Sequence, residues 1–191
     1  MRDLAVISFV SLDGVAQGPV APDEDTSGGF AQSGWASAHL EEAMELVNAE
    51  LMETPVSFLF GRKTFEMFAG HWPNSTTAHG MLLNTAQKYV VTTTLDDPGW
   101  QNARIITGDV IAELRRIKAT DGPRIQAHGS IALIQTLIAQ DLVDEFRLLT
   151  FPVVLGSGKR LFGAETGPRH LTCVRSGSSP GGVTMGVYRR H

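Results

Sequence analysis

Four short stretches of the chain carry groups able to hold an anion. Gly61, Arg62, Lys63 and Thr64 follow the apolar run "VSFLF" and open a helix-like stretch. Cations on a first helical turn oppose the macrodipole, which already makes that end positive. A negative ligand seated there would resolve the conflict. Thr92, Thr93 and Thr94 follow "KYVV", Thr107, Gly108 and Asp109 follow "ARII", and His128, Gly129 and Ser130 follow "RIQA". Gly, Ser and Thr at the start of a helix can offer free backbone N–H groups to phosphate. The same residues also cap helices for purely structural reasons. Together, with two cations at one junction, they fit a ligand with several phosphates, such as a dinucleotide.

Asp13 is the carboxylate best placed for chemistry. It follows the first apolar run, where its side chain would overlook the ends of the strands, and a protonatable group there could deliver a proton. "SLDG" is equally an ordinary turn, with Asp and Gly at favoured places. "LGSGKRL" (155–161) resembles a phosphate-binding P-loop, but Val153 stands where its first Gly is required and Arg160 replaces the Ser or Thr. Gly156 and Gly158 therefore read first as a tight turn. No G-x-G-x-x-G follows the first strand.

The histidines lack metal-ligand spacing, and no metal site is expected. His71 and His79 read as surface residues, the pair Trp72-Pro73 as a loop anchor, and Trp35 as a packing residue at a helix start. The single Cys173 excludes an internal disulfide and a cysteine-based zinc site, and suits a reducing cytoplasm. In "HLTCVR" it reads as a buried, inert thiol.

These groups need a scaffold. The chain has 191 residues, 42% hydrophobic and 19% charged, with a net charge of -4. That fits one domain with no general attraction to nucleic acid or an anionic membrane. No apolar run reaches membrane length, and "MRDLAVISFV" reads as a first strand rather than a signal peptide. Residues 11–34 form a long Gly/Pro/Asp-rich connection in which 23–25 reads as a solvated acidic loop. Leu40, Ala43, Met44, Val47 and Leu51 recur at helical spacing. Strands are expected at 4–10, 56–60, 88–94, 103–107, 124–127 and 144–155, and helices after Gly61, Gly108 and Gly129. The stretch 71–80 reads as a loop. Alternating strands and helices predict an α/β fold, with a mainly parallel sheet between two helical layers. The runs 169–176 and 183–190, joined by "GSSPGG", predict an antiparallel pair at one edge.

"SLDGVA" (11–16), "FGRKTFE" (60–66), "VVTTTL" (90–95), "HGSIALIQTLIAQDLVDEFRL" (128–148) and "PVVLGSGKRLF" (152–162) stand in an order that resembles the dihydrofolate-reductase-like superfamily. Within it the chain is most similar to the reductase domain of bacterial riboflavin biosynthesis, the RibD C-terminal domain, in stand-alone form. The resemblance spans nearly the whole chain. It implies a three-layer α/β/α fold and an NADPH-dependent reductase. Gly61, Arg62, Lys63 and Thr64 would meet the cofactor phosphates, with Thr92, Thr93 and Thr94 near the adenosine ribose and Gly108 at the adjacent junction. His128, Gly129, Ser130 and Ile131 would follow the pyrophosphate. Asp13 and Gly14 would lie by the nicotinamide and substrate, and Gly156, Gly158 and Lys159 would border the substrate pocket. A homodimer is implied in the same way.

Two departures stand out. The zinc deaminase motif that accompanies many riboflavin enzymes is absent. His128-Gly129 replaces the Gly-Gly that relatives carry at the cofactor loop. The implied activity is reduction of a ribosylamino-pyrimidine or similar small molecule. Folate reduction, with an acid among Glu41, Glu42 and Glu45, and a non-catalytic NADP(H)-binding module are the alternatives.

Overall fold

The computed structural model describes residues 1–51, 55–164 and 166–190, without the side chains of 49–51. One sheet of eight strands runs through it: β1 (Leu4–Ser11), β2 (Val56–Gly61), β3 (Lys88–Val91), β4 (Ala103–Ile106), β5 (Arg124–His128), β6 (Glu145–Phe151), β7 (Leu171–Ser178) and β8 (Thr184–Arg190). Their order is β4-β3-β2-β5-β1-β6-β8-β7. The first six are mutually parallel, and β8 runs antiparallel to both β6 and β7.

The central strands are apolar on both faces because both faces are covered. Leu4, Val6, Ile125 and Ala127 face α4 (Val110–Ala119) and α5 (Ile131–Ala139) through Leu114, Ile117, Ile134 and Leu137. Phe58, Phe60, Ile7 and Leu149 face α1 (Leu40–Leu51), α2 (Arg62–His71) and α3 (Ala78–Thr85). The expected stripe on α1 packs inward through Ala43, Met44 and Val47. Leu51, the last position of that stripe, lies outside the described side chains.

Several expectations are corrected. The stretch 71–80 is not all loop. The Thr77 hydroxyl accepts from Gly80 N and caps α3, which begins at Ala78. His79 lies on that helix, half-buried, with Nδ1 2.8 Å from Asn48 Oδ1, and burial lowers its pKa. Cys173 is exposed, because every residue of edge strand β7 after Leu171 is exposed. The strand expected over 88–94 ends at Val91, and an irregular connection carries the three threonines on toward β4. Within the acidic loop only Asp23 is fully solvated. Glu24 Oε2 accepts from Val20 N at 2.6 Å, and Asp25 pairs with Lys159 at 2.7 Å. Trp35 precedes a 3-10 turn at Ser37–His39 rather than a helix, and its Nε1 donates to Gln17 O at 2.8 Å. No helix among the described residues is long and apolar enough to cross a membrane.

Candidate active site at the carboxyl ends of the parallel strands

In a parallel sheet every strand end of one kind lies on one rim, and ligands bind beyond the carboxyl ends. The candidate residues fall on that rim. In spatial order they are Gly108 after β4, Thr92–Thr94 after β3, Gly61–Thr64 after β2, His128–Ile131 after β5, Asp13 and Gly14 after β1, and Gly156–Lys159 beyond β6.

The centre of the rim joins two helix starts. Gly61 N donates to Ser130 Oγ at 2.8 Å. Ser130 N and Ser130 Oγ both donate to Thr64 Oγ1, at 3.0 and 2.8 Å. These bonds tie β2–α2 to β5–α5. Neither helix has a side-chain cap at its N-cap residue, Gly61 or Ser130. The first N–H groups of both helices thus lack the usual internal acceptor, and two positive helix ends lie side by side. Gly129 and Ser130 both adopt left-handed backbone, at φ 54° and 50°. A Cβ on Gly129 would lie 3.0 Å from Thr64 Cγ2, a crowding that glycine avoids.

The two cations differ. Arg62 pairs with Glu66 one turn along, at 3.0 Å, in an exposed bridge. Lys63 is exposed, with no ion partner among the described residues. Of the threonines, Thr92 is buried and spent locally, its Oγ1 accepting from Thr94 N and Leu95 N at 3.1 Å each. Thr93 and Thr94 are exposed. Gly108, at φ 72°, only shapes the entry to α4, which Asp109 caps.

Asp13 braces the rim. Its Oδ1 accepts from Ser11 Oγ at 2.7 Å and Leu155 N at 3.1 Å, and its Oδ2 from Gly156 N at 2.9 Å. Arg160 donates to its backbone carbonyl. The Ser11 hydroxyl, then the Leu155 amide, hold the carboxyl pKa at about 2. That environment favours the carboxylate, the opposite of what a proton source at neutral pH requires. "SLDG" forms a turn, with Gly14 N donating to Ser11 O at 2.9 Å.

Gly156–Lys159 pack onto the long connection. Ala16 N donates to Lys159 O, and Leu161 N to Gly14 O. A Cβ on Gly158 would meet Val15 Cγ1 at 2.6 Å, so the segment lies flush against residues 15–30. Lys159 Nζ does not stand free for a ligand; it donates to Asp25 Oδ2 and Ser27 Oγ. Burial works to raise the Asp25 pKa, but Lys159 and Ser27 hold it at about 2.

Sequence reasoning missed Gln17 and Ser11. Gln17 is buried and gathers the connection, donating to Asp25 O and Ser27 O and accepting from Lys159 N. A polar residue inside a Gly/Pro-rich loop carries no signal of that role. Two shallow depressions, of about 450 and 440 Å³, open on the surface. The first is at the amino ends of the strands, around Arg2 and Tyr89; the second lies beside β4, around Arg104 and Glu113, and reaches Thr107 and Asp109 at the end of the rim. Among the described residues no group of three or more His, Cys, Asp or Glu could hold a metal.

A parallel sheet between two helical layers, closed by an antiparallel edge pair and with its polar groups along one rim, is the dihydrofolate-reductase-like architecture. The sequence profile of the RibD C-terminal domain matches residues 2–185, so the chain belongs to that family, a reductase family of the riboflavin-biosynthesis type. A Bacillus subtilis (strain 168) relative, the uncharacterized protein YyaP, is 33% identical over 137 residues, 69% of this chain and 72% of that one. Three solved structures share the fold. A putative riboflavin biosynthesis protein from Shewanella sp. PV-4 has TM-score 0.67 and 18% identity, covering 100% of this chain and 99% of that one. A pyrimidine reductase-like protein from Corynebacterium diphtheriae has TM-score 0.66 and 11% identity, covering 100% and 92%. Dihydrofolate reductase from Enterococcus faecalis, complexed with NADP(H) and RAB-propyl, has TM-score 0.63 and 15% identity, covering 99% and 96%.

Proposed function

We propose that the protein is an NADPH-dependent reductase of a small pyrimidine-like substrate, of the 5-amino-6-(5-phosphoribosylamino)uracil reductase type. The observation that carries this is the Gly61–Ser130–Thr64 junction, which holds two uncapped helix starts together on neighbouring strands. Paired N–H clusters of this kind are chemically suited to the two phosphates of a dinucleotide. The donors present fit the group: the first amides of α2 and α5 for the pyrophosphate, and Lys63, Thr93 and Thr94 for a ribose phosphate. The bound nicotinamide would supply the hydride.

The chain's own residues bind and position. Asp13 fixes the turn after β1 to the segment 155–156, so that rim and loop form one wall. The folate alternative ranks lower. Glu42 is held as a carboxylate by Ser179 and Gly181, while Glu41 and Glu45 are exposed. None resembles a buried acid facing a ligand. A non-catalytic NADP(H)-binding module and a homodimer remain secondary readings.

The test is titration of the protein with NADPH and, separately, NADH, followed by the fluorescence of its three tryptophans. Micromolar NADPH binding with much weaker NADH binding is expected, and Lys63→Glu is expected to weaken NADPH far more than NADH. Absence of binding to either would sink the cofactor assignment. Binding of NADPH with no turnover across a pyrimidine panel would favour the binding module.

A further inference from the structure

The depression of about 450 Å³ lies at the amino ends of the strands, on the opposite rim from the candidate active site. Arg2, two residues before β1, lines it and is only 6% exposed. Its Nε–H donates to Pro123 O at 2.6 Å. Its two terminal nitrogens donate to Tyr89 Oη at 3.1 Å and Ser57 Oγ at 2.8 Å. All three acceptors are neutral. Arg2 forms no ion pair among the described residues. Asp121, the carboxylate that lines the same depression, is exposed and pairs with the amino terminus at 3.6 Å.

Burying a cation without a counter-charge is unfavourable. Arg2 does stitch the start of β1 to β2, β3 and the turn before β5. A neutral donor could do the same, so stitching does not account for the charge.

The two hydroxyls add to the imbalance. A guanidinium can only donate, so Ser57 Oγ and Tyr89 Oη are acceptors toward Arg2, and each keeps an O–H of its own. Both residues are buried and line the depression. Neither O–H meets an acceptor among the described residues. Three of the five N–H groups of Arg2 are used. Spare donors thus gather around an unneutralised cation. Pro55, Leu82 and Pro123 give the depression apolar sides that suit a short organic body behind an anionic head.

We propose that this depression binds a small oxyanion, a carboxylate or phosphate group held by the Arg2 guanidinium and the Ser57 and Tyr89 hydroxyls. Ser57 and Gly61 stand near opposite ends of β2, ~13 Å apart along the strand. The site is therefore separate from the Gly61–Ser130 junction and stands whether or not that junction binds a dinucleotide.

The test is a ¹H–¹⁵N NMR titration of the full chain with sodium phosphate and, separately, sodium acetate, each against sodium chloride at matched ionic strength. The Arg2 Nε–H and the amides of Ser57 and Gly122 report on this site; the amides of Gly61 and Ser130 report on the opposite rim. Saturable movement of the first set is expected with an oxyanion and not with chloride. Saturation by phosphate alone identifies a phosphate head, by acetate alone a carboxylate, and by both the oxyanion class as stated. Arg2→Gln is expected to abolish saturation. Tyr89→Phe keeps the ring and removes one O–H, and is expected to weaken binding about three- to tenfold while the protein stays folded.

No saturable movement with either oxyanion up to about 100 mM overturns the inference. So does equal movement in chloride, or binding unchanged in Tyr89→Phe and in Arg2→Gln. Movement confined to Gly61 and Ser130 overturns it too, and leaves the reductase reading standing.

Discussion

Thr64 Oγ1 accepts two hydrogen bonds from one residue, Ser130, through its backbone N–H at 3.0 Å and its hydroxyl at 2.8 Å. The two residues are 66 positions apart, and their contact fixes the spacing of two helix starts. Thr64→Val keeps the shape and removes the acceptor. It is expected to lower stability by about 1–3 kcal/mol, because part-buried donors lose their partner. Urea unfolding with an unchanged m-value measures this, and NADPH affinity is expected to fall with it.

Gly129→Ala tests the same junction from the backbone side. The left-handed φ of 54° costs a non-glycine residue about 1–2 kcal/mol, and the new Cβ would crowd Thr64 at 3.0–3.1 Å. A lower melting temperature and loss of dinucleotide binding are expected. Wild-type binding by the alanine variant would remove the junction from the site.

Asp13 links stability to acid. Its folded pKa of about 2 lies below the ordinary aspartate value of 3.8, so its contribution is present above pH 4 and lost as pH falls toward 2. Asp13→Asn is expected to lose stability at pH 7 and to show a shallower acid slope than the wild type. Comparing the two unfolding profiles isolates Asp13 from Asp25 and Glu113, which titrate in the same range. As a bracing residue it would also raise KM more than it lowers kcat.

Lys88 links stability to alkali, and there too stability rises with pH. It is fully buried, donates to Leu83 O and Ala86 O at 2.6 and 2.8 Å, and lies 4.5 Å over the Trp100 ring. Burial lowers its pKa to about 8 from 10.5. Between those values the unfolded chain binds more protons, so Lys88 makes stability rise with pH. Lys88→Met is expected to abolish that rise in denaturation measured from pH 8 to 10.

Lys159→Met is expected to cost no more than about 1 kcal/mol, since its bond to Asp25 is largely exposed. Hydrogen exchange at residues 17–27 should quicken nonetheless, because Lys159 clasps that stretch. A raised KM without faster exchange would instead support direct contact between Lys159 and substrate.

Local chemistry made much of the molecule legible. Apolar runs such as "LAVISFV" and the alternation of strands with helices determine a layered parallel sheet, because such strands must be covered on both faces. The carboxyl-end rim follows, and with it the placement of Arg62, Thr93, Gly129 and Asp13 along one line. The helix at 78–85 escaped notice because its cap, Thr77, is one of several Ser and Thr residues in a stretch that also contains Pro73. Cys173 looked buried because "LTCV" has strand composition, and composition does not distinguish an edge strand from a central one.

What only the tertiary structure decided is how the rim's groups are spent. Thr92 and Lys159 are taken by neighbours, Asp13 is held as a carboxylate, and Gln17 becomes a buried hub. Hydrogen-bond partners such as Asp25 and Lys159 lie 134 residues apart. Residue type records the capacity to bond; the identity of the partner, and so the charge and freedom of each group, arises only when the sheet brings distant segments together.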